Sequence, residues 1–210
     1  MRDDMLRMDE AVIGSEGISK MDGTEFQVSL ERLRGCIRSR DNDEIENVVA
    51  DLDLFTIEVE RWPDGFFEGL EGLMRDPHFL GLPKSWKLFY FIANNWEQIS
   101  EREKERLREV LGEAFDKCGD WMGAFVIGEV LGDHYADEAT LAILERIAKT
   151  ASLLTRQLLP HALEHLAKAT DRESLRSQAI QQLQELGKSD SEEVRDEAFL
   201  SLAKLGIRAE

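Results

Sequence analysis

Residues 161 to 165 read HALEH. Histidines four positions apart on a helix stand one above the other on the same face, so their imidazoles can share a metal ion. A carboxylate at the fourth position, here Glu164, is placed to take a proton from metal-bound water, the chemistry of the H-x-x-E-H zinc motif. A working centre also needs a third ligand and a scaffold to hold it, and only 45 residues follow His165. The string is short enough to arise by chance. In the internal repeat described below, His161 and His165 align with Gln181 and Glu185, which are solvent-facing residue types. The expectation is therefore a surface pair of histidines, with no catalytic, metal-binding or cofactor-binding residue assigned and no cofactor required.

Other chemistry is weaker still. His78 and His134 sit in DPHF and GDHY, near expected helix ends, where a histidine caps or packs locally. There is no G-x-S-x-G elbow, no phosphate-binding P-loop and no dinucleotide fingerprint. Gly65, Gly69 and Gly72 are spaced by four and three inside a helical stretch, which suits close helix packing. The 43 Asp and Glu are too numerous for any pair to stand out as acid and base. Cys36 and Cys118 each fall at an apolar helical position, and two thiols make neither a metal cluster nor a disulfide framework, so both are expected reduced and buried.

The elements that must carry these residues are helices. Residues 1 to 24 hold Gly14, Gly17 and Gly23 among mixed charges without a sustained period, and are expected to form an irregular arm. From residue 25 the period is helical: Phe26, Leu30, Leu33 and Ile37 form one stripe, and Ile45, Val48, Val49 and Leu52 the next. Pro63 suits a first helical position ahead of Phe66, Phe67, Leu70 and Leu73. Ser100 and Glu103 have capping-box spacing, and Gly132 suits a helix exit. No alternating β-branched segment signals a strand.

The last third repeats. Residues 170–187, TDRESLRSQAIQQLQELG, align without gaps with residues 189–206, SDSEEVRDEAFLSLAKLG, at an offset of 19. Thr170 and Ser189 fall at N-cap positions, Leu175 and Val194, Ala179 and Ala198, Leu183 and Leu202 share the apolar stripe, and Gly187 and Gly206 close each helix. Two such helices make a unit of about 38–40 residues, the size of a helix-pair solenoid repeat. The runs L-R-x-x-A-x-x-x-L-x-x-L-G and V-R-x-x-A-x-x-x-L-x-x-L-G resemble the HEAT-like repeat signature over residues 140–206. The resemblance implies an all-α superhelix of about ten helices in pairs, one solenoid domain over residues 25–210, with an aromatic, acidic half to residue 132 and regular repeats beyond. It also implies that Arg176 and Arg195 brace neighbouring repeats through an acidic residue. It fixes no activity.

Two features break the uniformity. Ten of the sixteen aromatic residues lie between 55 and 96, and residues 41 to 76 carry twelve carboxylates against Arg61 and Arg75 alone. Aromatics supply binding area and acids steer a basic partner. The expected partner-binding surface is therefore Asp51, Asp53, Glu58, Glu60, Trp62, Asp64, Glu68, Tyr90 and Trp96. With 26 Lys and Arg against 43 acids, the net charge of -17 opposes nucleic acid and anionic membranes. No apolar run has signal-peptide or membrane-spanning length. The expectation is a cytoplasmic, non-catalytic protein-binding module, a monomer or weak homodimer, in its sharpest form a bacterial immunity or inhibitor protein masking a basic partner. A general peptide- or helix-binding adaptor is the first alternative, and a HEAT-like lyase, glycosylase or metal enzyme the second.

Overall fold

The computed structural model describes residues 23–57 and 59–208. Among them the chain is all-α, without a strand. The helices are α1 (Thr24–Ser39), α2 (Asn42–Ile57), α3 (Phe66–Met74), α4 (Pro77–Leu80), α5 (Trp86–Asn94), α6 (Glu101–Lys117), α7 (Trp121–His134), α8 (Glu138–Thr150), α9 (Leu153–Ala169), α10 (Glu173–Leu186) and α11 (Glu192–Lys204). That makes eleven α-helices where about ten were expected. Most of the expected N-terminal arm lies outside the described residues, and helix begins at Thr24, one position earlier than the periodicity indicates.

The helices pack in two rows. In the first, α1 adjoins α3, α3 and α4 adjoin α6, and α6, α8 and α10 follow in order. In the second, α2, α5, α7, α9 and α11 follow in order. Sequential partners α1 and α2, α6 and α7, α8 and α9, α10 and α11 join the rows, and the apolar stripes read from the sequence meet between them. Helix α9 has neighbours on nearly every side: α7, α8, α10, α11 and α6. Phe26, Phe66, Phe67, Phe79, Phe89 and Phe91 are all fully buried, so most of the aromatic concentration is core.

Caps set several helix starts. Ser100 and Glu103 form a reciprocal capping box at α6, and Asp120, Asp137, Ser152 and Ser191 each accept a backbone N–H from the first turn of α7, α8, α9 and α11. The repeat-based N-caps move accordingly. Ser191 rather than Ser189 caps α11, and Thr170 accepts from Arg172 N–H ahead of α10 instead of capping it directly. Pro63 lies before α3, whose N-cap is Gly65 at φ 80°, a left-handed conformation that glycine adopts without strain. Arg195 donates to the carbonyl oxygens of Ser189 and Asp190, so it closes its own loop where the HEAT-like pattern implies an acidic partner. No helix among the described residues is long and apolar enough to cross a membrane.

Gly132 does not end α7. The helix runs on to His134, and Gly132 sits where α7 meets α9: a Cβ there would lie 2.5 Å from His165 Cβ, 2.7 Å from the Ala162 carbonyl oxygen and 2.8 Å from Leu166 N. Backbone atoms cannot move aside as a side-chain tip can. Gly132→Ala is expected to destabilise the fold by about 1–3 kcal/mol through overpacking. Gly35→Ala, at a mid-helix position of α1 with open space around it, is expected to stabilise by about 0.5–1 kcal/mol through helix propensity. Urea unfolding of both variants checks the pair; equal signs would show that the α7–α9 approach is not tight.

Candidate functional site

The seam between α7 and α9 assembles the chain's polar chemistry. On α7, Trp121, Phe125, Glu129 and Asp133 recur every four residues and form one stripe. On α9, His161 and His165 do the same. Trp121 stacks on Phe125 at 5.3 Å between ring centroids, Phe125 stacks on His161 at 3.9 Å, and His161 meets His165 edge to face at 4.4 Å. His165 Nδ1 lies 2.8 Å from Asp133 Oδ1. The row thus passes from an exposed indole at one end to a carboxylate–imidazole pair at the other.

The HALEH residues are therefore not a solvent-facing pair. His161 is 7% exposed and Glu164 1%, because α9 is enclosed by its neighbours where the aligned α10 is not. The repeat alignment fails here for that reason: equivalent helical positions face a neighbour in one helix and water in the other. Glu164 is held by Lys168 at 2.5 Å and by Lys204 of α11 at 3.2 Å. Burial pushes its pKa up, but the hydrogen bonds from Lys168, Lys204 and Ser201 outweigh it and hold the carboxyl below its usual value. It ties α9 to α11 and is not placed to serve as a base for water.

The two imidazoles have opposite electrostatics. Burial, reinforced by His165, lowers the His161 pKa to about 4, and its Nε2 is buried without a hydrogen-bond partner. The hydrogen bond with Asp133 raises the pKa of His165 against the pull of burial. Glu129, Asp133 and His165 bring one ligand atom each to within 4.8 Å of one another. The same two acids also line a groove of about 270 Å³ between α5 and α7, together with Tyr90, Asn94, Val126 and His134.

The surface expected from the sequence is not assembled as one patch. Trp62 is 8% exposed and stacks on Phe91 at 5.7 Å, so it belongs to the core; Pro63 and Gly65 bend the chain and turn the indole inward. Asp51 is bound by Arg32 at 2.6 Å, and Glu68 by Arg106 at 3.0 Å. Asp53 accepts from Asn95, and burial raises its pKa. Trp96 is half-buried, stacked on His134 at 4.1 Å with Lys104 over its ring. Tyr90, Glu60 and Asp64 are exposed, and Glu58 lies outside the described residues. Other acids of the 41–76 stretch are paired as well: Asp43 and Glu46 with Lys84, Glu46 with Lys87, Glu44 with Arg32, and Glu71 with Arg75 and Arg106. Sequence reasoning missed Trp121, Glu129 and Asp133. Their spacing of four was a usable signal, but their partners on α9 are about thirty to forty residues away.

Comparison with known proteins leaves the site to be read from its geometry: no family model, no curated protein and no solved structure matches the chain. Two free, buried cysteines, Cys36 and Cys118, lie elsewhere in the core, and burial pushes the Cys118 thiol up to about 11, which makes it unreactive.

His161 carries a pH signature whose sign follows from linkage. Its folded pKa is depressed, so between pH 6.5 and about 4 the unfolded chain binds a proton that the folded chain does not, and stability falls on acidification through that window. His165 works oppositely: its contribution is complete below the ordinary histidine value and is lost as pH rises through its raised pKa. His161→Phe is expected to remove about 3 kcal/mol of acid-side loss across the window, at about 1.4 kcal/mol per pH unit. Urea unfolding at stepped pH reads this; parallel curves for variant and wild type would contradict a neutral, buried His161.

Proposed function

We propose that this protein is a non-catalytic protein-binding module that holds a basic partner against its second row of helices. One observation carries the reading. Of the nine large apolar side chains that are exposed among the described residues, eight lie on second-row helices: Leu54 and Ile57 on α2, Tyr90 on α5, Trp121 and Met122 on α7, Leu153 on α9, and Phe199 and Leu200 on α11. The ninth, Val28 of α1, lies in the first row. Apolar side chains scattered over a surface need no explanation, but a bias of this size to one row is how binding surfaces are built.

Tyr90 and Trp121, 52% and 46% exposed, are the anchors, since rigid aromatics bury large area at low entropic cost. Glu129 and Asp133, which line a groove with Tyr90, set the sign of the partner, and the chain's net charge of -17 raises its encounter rate. The interior two-row packing and the 19-residue offset support a HEAT-like frame, and free buried thiols suit a reducing cytoplasm. In its narrowest form the module is an immunity or inhibitor protein that masks its basic target.

The test is affinity capture with the intact protein and a double variant, Tyr90→Ser with Trp121→Ser. Proteins of basic pI are expected on the wild type, reduced at least ten-fold on the variant, with binding that weakens as salt rises. Equal capture by both proteins, or capture of acidic proteins alone, would sink the reading.

A further inference from the structure

We propose that Glu129, Asp133 and His165 form a binding site for a single divalent transition-metal ion, with zinc as its best-suited occupant, at the α7–α9 seam. Their ligand atoms lie within 4.8 Å of one another, and His165 Nδ1 and Asp133 Oδ1 are 2.8 Å apart. Ligands held at about 2.0–2.2 Å around one ion sit about 3–3.5 Å apart, so Glu129 needs a small inward swing while the His165–Asp133 hydrogen bond opens by about half an ångström to admit the ion. Glu129 is only half-buried and makes no ion pair among the described residues, and its side chain has the freedom to make that swing.

The mixed donor set narrows the ion. An imidazole nitrogen with two carboxylates suits zinc and its first-row neighbours, whereas calcium and magnesium favour all-oxygen shells. Two i, i+4 positions on one helix facing a histidine on the next is also how metal sites are built between packed helices.

His161 gives the independent indication. It is more than nine-tenths buried, its Nε2 lacks a hydrogen-bond partner, and its ring abuts that of His165 one turn along the same helix. A buried nitrogen left without a partner is destabilising. The nitrogen lies outside the set of ligand atoms that close on one another, so a water bound to the metal, not the ion itself, is what would supply its missing partner. Glu164 is not part of the site, because Lys168 and Lys204 hold it. The site is therefore distinct from the one the HALEH string suggests, sharing His165 and taking its acids from α7.

Zinc alone, titrated calorimetrically into the full chain in the absence of any partner, tests the proposal. One equivalent is expected to bind, with affinity reduced about ten-fold or more in each of Asp133→Asn, His165→Gln and Glu129→Gln, while His78→Gln, at an exposed distant histidine, leaves it unchanged. Circular dichroism confirms that each variant is folded, and cobalt(II) in place of zinc is expected to give a visible ligand-field spectrum in the wild type only. The idea is overturned by no uptake in the wild type. It is equally overturned if one equivalent is still bound by the Asp133→Asn, His165→Gln double variant, or if uptake depends on His78. Because no partner enters the titration and Tyr90 and Trp121 are left intact, failure here is separate from failure of the protein-binding reading.

Discussion

Helix α7 lies against α9 more closely than side chains would permit, and the rest of the molecule depends on that approach. Gly132 meets the backbone of Ala162 and Leu166 where any Cβ would clash, and one turn earlier Gly128 faces Ala162, with a Cβ there reaching 3.2 Å from its methyl group. Close backbone approach brings short side chains into register across the seam. Asp133, Phe125, His161 and His165 meet only because the two helix axes are near enough for them to do so. The same contact encloses α9, which then takes α8, α10 and α11 around its remaining sides. Burying a histidine and a glutamate on such a helix is costly, and each is handled differently. Glu164 is compensated by two lysines, whereas His161 stays neutral against Phe125.

Charge is arranged by a similar division of labour. Along the chain the acids between residues 41 and 76 form a nearly uncompensated run, but in space α1, α5 and α6 and the turn before α5 supply the missing bases. Exposed pairs of this kind contribute little stability each. Their effect is to orient neighbouring helices and to cancel part of the local field, leaving Glu60 and Asp64 exposed near the bend and Glu129 and Asp133 on the second row. Exposed negative charge is therefore distributed differently from the linear sequence, with Glu129 and Asp133 lining a groove beside Tyr90.

Helical class, most apolar stripes, the α6 capping box and the burial of both cysteines were legible in the residues themselves, because each depends on local spacing, on 3.6-residue periodicity or on a cap three positions away, whereas the aromatic concentration, read as binding area, is mostly core. The repeat at residues 170–206 likewise identified α10 and α11, though not their caps, since Ser189 and Ser191 compete within three residues and the loop geometry decides between them. What the sequence could not determine was which face of each helix meets another helix. His161 and Gln181 occupy equivalent repeat positions, yet one is buried and the other exposed, because α9 is central in the stack and α10 is not. Trp62 turned inward at a bend, and Asp51 and Glu68 found guanidinium partners nineteen and thirty-eight residues away. Periodicity is a property of one helix, whereas burial, pairing and the joining of Glu129, Asp133 and His165 are properties of two helices in contact, and only tertiary packing supplies the second.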